Sequence, residues 1–283
     1  MNKATESWDV VIKPVHGWVN INVRDIIRYR ELILLFVRRD FVVFYKQTVL
    51  GPLWYIIQPV ANTLVFTIIF GKVAKIPTDG IPPFVFYLSG TVVWAYFASC
   101  LNQTGQTFVA NAGIFGKVYF PRITVPISMA ITAIFQFVIQ FTIFLGFFIY
   151  FWQTGAGIKP NIYVFTLPLI VLQMAILSVG IGLIISAATA KYRDLTFAMG
   201  FLVQLWMYLT PVVYPLSEVP DRLKIFILIN PMTAIVESFR GAFLGVSSLT
   251  PQGLLLSIII TILSFIGGII IFSRVEKTFM DTV

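Results

Sequence analysis

The sequence predicts an all-α polytopic membrane protein with six transmembrane helices. An N-terminal amphipathic helix lies in the interface, and re-entrant outer helices stand between spans five and six. Three observations predict this fold. The 283 residues are 58% hydrophobic and 11% charged, against roughly 45–50% and about 25% in soluble domains. Six long windows carry no charge, and Lys and Arg are distributed unevenly around them.

In hydrocarbon each backbone amide must be satisfied within its own segment, so a span needs about 20 consecutive helical residues with almost no charge. The uncharged windows are Gln47 to Gly71, Gly80 to Gly116, Ile123 to Ile158, Pro160 to Ala190, Leu195 to Ser217 and Gly241 to Ser273. Each holds one span. Ahead of them, residues 24–46 place Ile26, Ile33, Val37, Phe41 and Phe44 at helical spacing, with Arg24, Arg28, Glu31, Arg38 and Arg39 on other faces. This is the pattern of an interfacial helix whose basic heads meet anionic lipid. Gly51-Pro52 ends that segment and opens the first span, because proline is at ease in a first helical turn.

A seventh apolar window, Ile225 to Val236, has 12 residues and is interrupted by Asn230-Pro231. Twelve helical residues rise only about 18 Å, short of a roughly 30 Å core. With Pro211, Pro215 and Pro220 upstream, it reads as an outer re-entrant hairpin over residues 217–245. The predicted organisation is therefore an N-terminal segment 1–23, the interfacial helix 24–46, a six-span domain 47–273 and a tail 274–283.

With the N-terminus inside, inner segments hold 14 Lys and Arg and outer loops hold 6. The bias places both termini in the cytoplasm. Residues 1–20 contain charges and Pro14 without an apolar core, so no secretory signal is expected. The net charge of +8 reflects this topology and not a nucleic-acid surface. Cys100 and His16 are each alone in their type, which leaves no internal disulfide and no metal cluster.

The windows hold no ionisable side chain to relay protons, bind sodium or sense voltage, which argues against a secondary transporter or ion pump. Gly71-Lys72 and Gly116-Lys117 lack the following Ser or Thr and the earlier glycine of a phosphate loop. No catalytic residue, metal or bound cofactor is expected, and energy for uphill movement must come from another chain.

Uncharged polar residues are then informative. Tyr55, Gln58, Asn62 and Phe66 recur on one face of the first span, and Phe197, Phe201, Gln204 and Tyr208 repeat the composition on the fifth. Rings interleaved with amides suit a sugar chain passing along a conduit, although amides also hydrogen-bond neighbouring helices. Trp94, Tyr96, Phe97 and Tyr150, Phe151, Trp152 read as interfacial belts. Ser178, Gly182, Ser186 and Ala190 form a small-residue packing stripe on the fourth span, and Glu237 with Arg240 reads as an ion pair at the outer surface.

A family resemblance rests on several stretches in order. They are Arg38-Arg39-Asp40, then Tyr45-Lys46-Gln47-Thr48-Val49-Leu50-Gly51-Pro52-Leu53-Trp54 and Gln58-Pro59. Lys117-Val118-Tyr119-Phe120-Pro121-Arg122, Tyr192-Arg193-Asp194, Leu209-Thr210-Pro211-Val212-Val213-Tyr214-Pro215 and Asn230-Pro231 follow. Spread over residues 24–245, this set resembles the type-2 ABC exporter permeases of the polysaccharide class.

The resemblance implies a homodimer working with two copies of a separate ABC ATPase, which binds ATP and Mg. The implied cargo is lipid-linked polysaccharide such as O antigen, capsule or teichoic acid, moved from the cytoplasm to the outer side of the bacterial inner membrane. The loop from Asn111 to Arg122 is expected to form a short helix docking on the ATPase through Ile114, Phe115, Lys117, Val118, Tyr119 and Arg122. Tyr214, Asn230, Pro231 and Phe239 are expected at an outer gate. Competing readings are export of a small amphiphile or lipid, a membrane-embedded glycan polymerase or ligase, and a passive channel.

Overall fold

The computed structural model describes residues 23–46 and 50–278. The expectations for residues 1–22, for Gln47 to Val49 and for residues 279–283 lie outside the described residues, as does the side chain of Phe44.

The described chain is helical throughout. Helices α1 (Val23–Arg28) and α2 (Arg30–Lys46) together replace the single amphipathic helix expected, with a turn at Tyr29. Ile33, Phe36 and Val37 are buried while Leu34 and Leu35 remain exposed. The buried face meets the protein through Phe36 against Phe120 at 5.6 Å and Phe41 against Phe135 at 5.5 Å. Gly51, with φ of +49°, makes the turn into a short 3-10 segment, Gly51–Leu53.

Five helical stretches are long and apolar enough to cross a membrane. They are α3 (Trp54–Phe66) with its π-helical continuation Thr67–Val73, α4 (Pro83–Gly105), α6 (Thr124–Gln153), α7 (Leu167–Lys191) with a preceding 3-10 turn, and α11 (Pro251–Thr278). Between α4 and α6 lies α5 (Thr107–Phe115).

The fifth window folds differently from a full-length span. Its helix α8 (Leu195–Tyr208) has 14 residues, a rise of only about 21 Å. Beyond Tyr208 the chain turns through Pro211 and Pro215, since proline cannot continue the helical hydrogen-bond ladder. Helices α9 (Asp221–Ile229) and α10 (Pro231–Leu244) then meet at an angle of 98°. A bend that sharp rules out one straight crossing, and the break falls at Asn230-Pro231, where the apolar window is interrupted.

Small residues bring α4, α7 and α11 together. A Cβ on Gly180 would stand 2.7 Å from the backbone of Phe265, and one on Gly182 would stand 2.6 Å from Thr104. The backbone amide of Phe108 donates to Ser186 Oγ at 3.3 Å. The stripe on α7 is thus packing, as its spacing predicts. Trp94, Tyr96 and Phe97 are buried in this core, which corrects the expectation of an interfacial belt there. On α6, Phe144 packs against Phe239 and Phe243 of α10 at 5.1 and 5.5 Å.

Both described ends of the chain sit at one pole. Phe36 of α2 touches Phe120, and the end of α11 meets Arg122 through Glu276. That placement suits an even number of crossings.

Candidate functional site

Two regions gather the residues singled out from sequence, and a third is incompletely foreseen. The first is a groove of about 700 Å³ between α3, α4, α6 and α8. On α3 it is lined by Tyr55, Gln58, Asn62 and Phe66, all four expected, and on α8 by Gln204 and Tyr208. Pro59, buried on the same wall, gives up the hydrogen bond an interior helical residue donates. Thr63 and Thr91 join α3 to α4 with their hydroxyls 3.1 Å apart.

Phe197 and Phe201 do not line the groove; they are 88% and 63% exposed. The lining face of α8 runs through Gly200, Val203, Gln204 and Met207. Helical phase does not separate them, since Phe201 stands within about 20° of Tyr208 at 100° per residue; the lining of α8 begins at Gly200, a turn after Phe197.

Sequence reasoning missed the floor. Trp94, Asn102 and Gln103 come from α4, and Gln136 and Gln140 from α6. The available signal was a set of amides within otherwise apolar windows, with Gln136 and Gln140 four residues apart. Asn102 donates to Ala98 O at 2.8 Å and Gln103 to Ser99 Oγ at 2.9 Å. No Asp, Glu, Lys, Arg or His lines the groove among the described residues. It therefore offers hydrogen bonds and ring faces without charge.

The second region is the bent pair α9 and α10 with the break after α8. Asn230 caps α10 by accepting from Met232 N at 3.1 Å, and also accepts from Trp206 Nε1 at 3.0 Å. Its amide donates to Thr210 Oγ1 at 2.8 Å and Leu209 O at 3.2 Å. Pro231 fits the first turn of α10. Tyr214 donates to Tyr208 O at 3.2 Å, and burial raises the pKa of its phenol above the ordinary value.

Phe239 is not at a gate surface. It is 1% exposed, among Phe144, Phe141 and Phe243. Glu237 and Arg240 do pair, at 3.6 Å, but both are buried and not at the outer surface. Arg240 donates to Pro211 O, to Val212 O at 2.7 Å and to Ser89 Oγ at 3.3 Å, with its guanidinium 3.7 Å above Phe86. Glu237 in turn accepts from Ser248 N at 2.9 Å. Arg240 thus satisfies carbonyls that the broken helix leaves open, the condition under which irregular backbone is tolerated at depth.

The third region follows α5. The helix ends at Phe115, and residues 116–122 are turn and irregular chain, so the expected helix from Asn111 to Arg122 is present only in its first part. Phe115 is buried against Phe108 and Phe120, Ile114 is half-buried, and Lys117, Val118 and Tyr119 are exposed. Arg122 donates to Glu276 O at 2.8 Å and lies over the Phe115 ring at 5.3 Å. Burial lowers its pKa from the ordinary value, and the Glu276 carboxylate opposes that shift.

The fold defines a multi-pass helical membrane protein with an uncharged, amide-lined groove. Residues 31–244 match the family described as ABC-2 type transporter, and the chain belongs to that family. It is the transmembrane, non-catalytic subunit of an ABC transporter, a family that binds no cofactor itself and whose ATPase is a partner chain. The chain is similar to the O-antigen export system permease protein RfbA of Klebsiella pneumoniae, 28% identical over 261 residues, covering 89% of this chain and 94% of the relative. An RfbA of Myxococcus xanthus is 27% identical, with 78% and 83% covered. The polysialic acid transport protein KpsM of Escherichia coli is 27% identical over 194 residues, with 68% and 73% covered.

Proposed function

We propose that this chain is the permease of an ATP-driven exporter that carries lipid-linked polysaccharide from the cytoplasm to the outer side of the bacterial inner membrane. Two copies form a homodimer with two ABC ATPase subunits, and both termini are cytoplasmic. The observation that carries the reading is the groove, where Tyr55, Phe66 and Tyr208 alternate with Gln58, Asn62 and Gln204 around about 700 Å³. Rings stack on the C–H faces of sugars, and amides exchange hydrogen bonds with hydroxyls. The names of the O-antigen export and polysialic acid transport relatives point the same way.

The exposed faces of α3 and α8, including Phe197 and Phe201, turn toward the two-fold axis and complete the conduit from both protomers. Lys117, Val118 and Tyr119 meet the ATPase, and the hairpin around Asn230 and Tyr214 closes the outer end. A small apolar amphiphile suits the site less well, because seven of its lining residues are amides. The test is deletion of the gene from its host. Surface glycan should disappear, with lipid-linked glycan retained on the cytoplasmic side. This chain restores export together with a competent ATPase and fails with one unable to hydrolyse ATP. Unchanged surface glycan in the deletion strain overturns the function.

A further inference from the structure

Gln140 stands apart from the other groove residues. It is 2% exposed, it lines the groove from α6, and its Oε1 has no hydrogen-bond partner among the described residues. A buried acceptor without a donor is unfavourable, and more so at membrane depth. Gln136 lies one turn earlier on the same helix face and also lines the groove, about 6 Å along the axis.

Across from them, Asn102 and Gln103 spend amide hydrogens on Ala98 O and Ser99 Oγ of their own helix. Each keeps both lone pairs of its carbonyl oxygen but only one amide hydrogen for a ligand. The floor is therefore biased toward acceptors, with the Trp94 ring beside it. Acceptors reject phosphates and carboxylates, which are acceptors themselves when ionised. Among the described residues, no cation lines the groove to offset that rejection. Hydroxyl groups, which donate, are the complement.

We infer that Gln140, with Gln136, Asn102 and Gln103, forms a subsite that holds an uncharged, hydroxyl-rich sugar unit of the cargo and not the phosphate of its lipid carrier. The inference rests on the reading of the groove as the cargo path. It assigns sugar recognition to the recessed floor on α4 and α6, behind the faces of α3 and α8.

The test uses the full permease with its ATPase in host membranes, carrying the photo-crosslinking residue benzoylphenylalanine at Tyr208 or, separately, at Tyr55. Illumination during export should attach native glycan, seen as a mass ladder on the permease. Gln140→Leu should cut the adduct at least fivefold at an unchanged permease level, and Gln140→Asn should recover part of it. If Gln140→Leu does not accumulate, Gln136→Leu is read in its place.

An adduct as strong in the Leu variants as in the parent overturns the subsite while leaving the cargo path standing. Absence of any adduct at both tyrosines overturns the cargo path and the subsite with it. Mass analysis of the released adduct should give sugar units, and adducts holding only carrier lipid phosphate overturn the ligand class.

Discussion

The guanidinium Nη2 of Arg240 lies 2.7 Å from the carbonyl oxygen of Val212, joining helix α10 to the break that ends α8. The same side chain reaches Pro211 O, Ser89 Oγ and the Glu237 carboxylate. Gly90 makes the approach possible, since a Cβ there would sit 2.9 Å from both Arg240 Nη2 and Val212 O. One buried cation thus holds the hairpin, the broken helix and α4 in register.

Replacing Arg240 by Ala strands the Pro211 and Val212 carbonyls and leaves Glu237 buried without its cation. Removing one partner of a buried pair is destabilising by about 3–5 kcal/mol. Arg240→Lys restores only part of this, because an ammonium cannot reproduce the planar fork. Thermal unfolding of the purified permease in detergent should rank the parent above Lys and Lys above Ala. Equal midpoints for parent and Ala would show that the carbonyls find other donors.

Much of the architecture is legible in the sequence because charge is excluded from hydrocarbon. The charges at Lys72 and Lys191 close two windows at or next to real helix ends, Val73 and Lys191, for that reason. The end of the fifth window is less legible: its charge-free run continues to Ser217, yet α8 stops at Tyr208, where Pro211 and the hairpin intervene. Arg240 and Glu237, three residues apart in a loop that reads as outer surface, reveal their burial only when α10 folds back into the core. The groove's first wall is visible in the helical phase of Gln58 and Asn62. Its floor escapes notice because Gln136 and Gln140 meet Asn102 only through tertiary packing of α6 beside α4.

Asn230 is the second fastening of the hairpin, with bonds to Trp206, Leu209, Thr210 and Met232. Asn230→Ala removes all of them and unpairs the indole N–H, a loss of about 1–3 kcal/mol. Limited proteolysis of the purified permease should then cut between residues 209 and 230 sooner than in the parent. An unchanged cleavage rate would mean that Arg240 alone holds the break.

The segment after α5 separates packing from docking. Phe115 is buried beneath Arg122, so Phe115→Ala acts on stability, by about 3–5 kcal/mol. Lys117→Glu and Tyr119→Ala alter exposed side chains, so each should leave the unfolding midpoint within a degree or two of the parent while weakening co-purification of the ATPase. Loss of stability in the Tyr119 variant, or full ATPase recovery in both surface variants, would remove these residues from the contact.

Groove accessibility is measurable against a quiet background, because the single native cysteine, Cys100, is buried. Cysteines placed at Gln58, Gln204 and Asn102 sample three walls, and Ile68, an exposed apolar position on the π-helical turn, serves as the lipid-facing control. A polar, charged thiol reagent partitions poorly into hydrocarbon and reacts only where water reaches. Labelling at all three groove positions should exceed that at Ile68 several-fold in membranes, since the amide walls hold water between transport cycles. The Asn102 position should react more slowly than Gln58, being half-buried on the floor while Gln58 is exposed on the wall. Should all three label no faster than Ile68, the groove is closed to water in the resting protein and the conduit must be sought elsewhere.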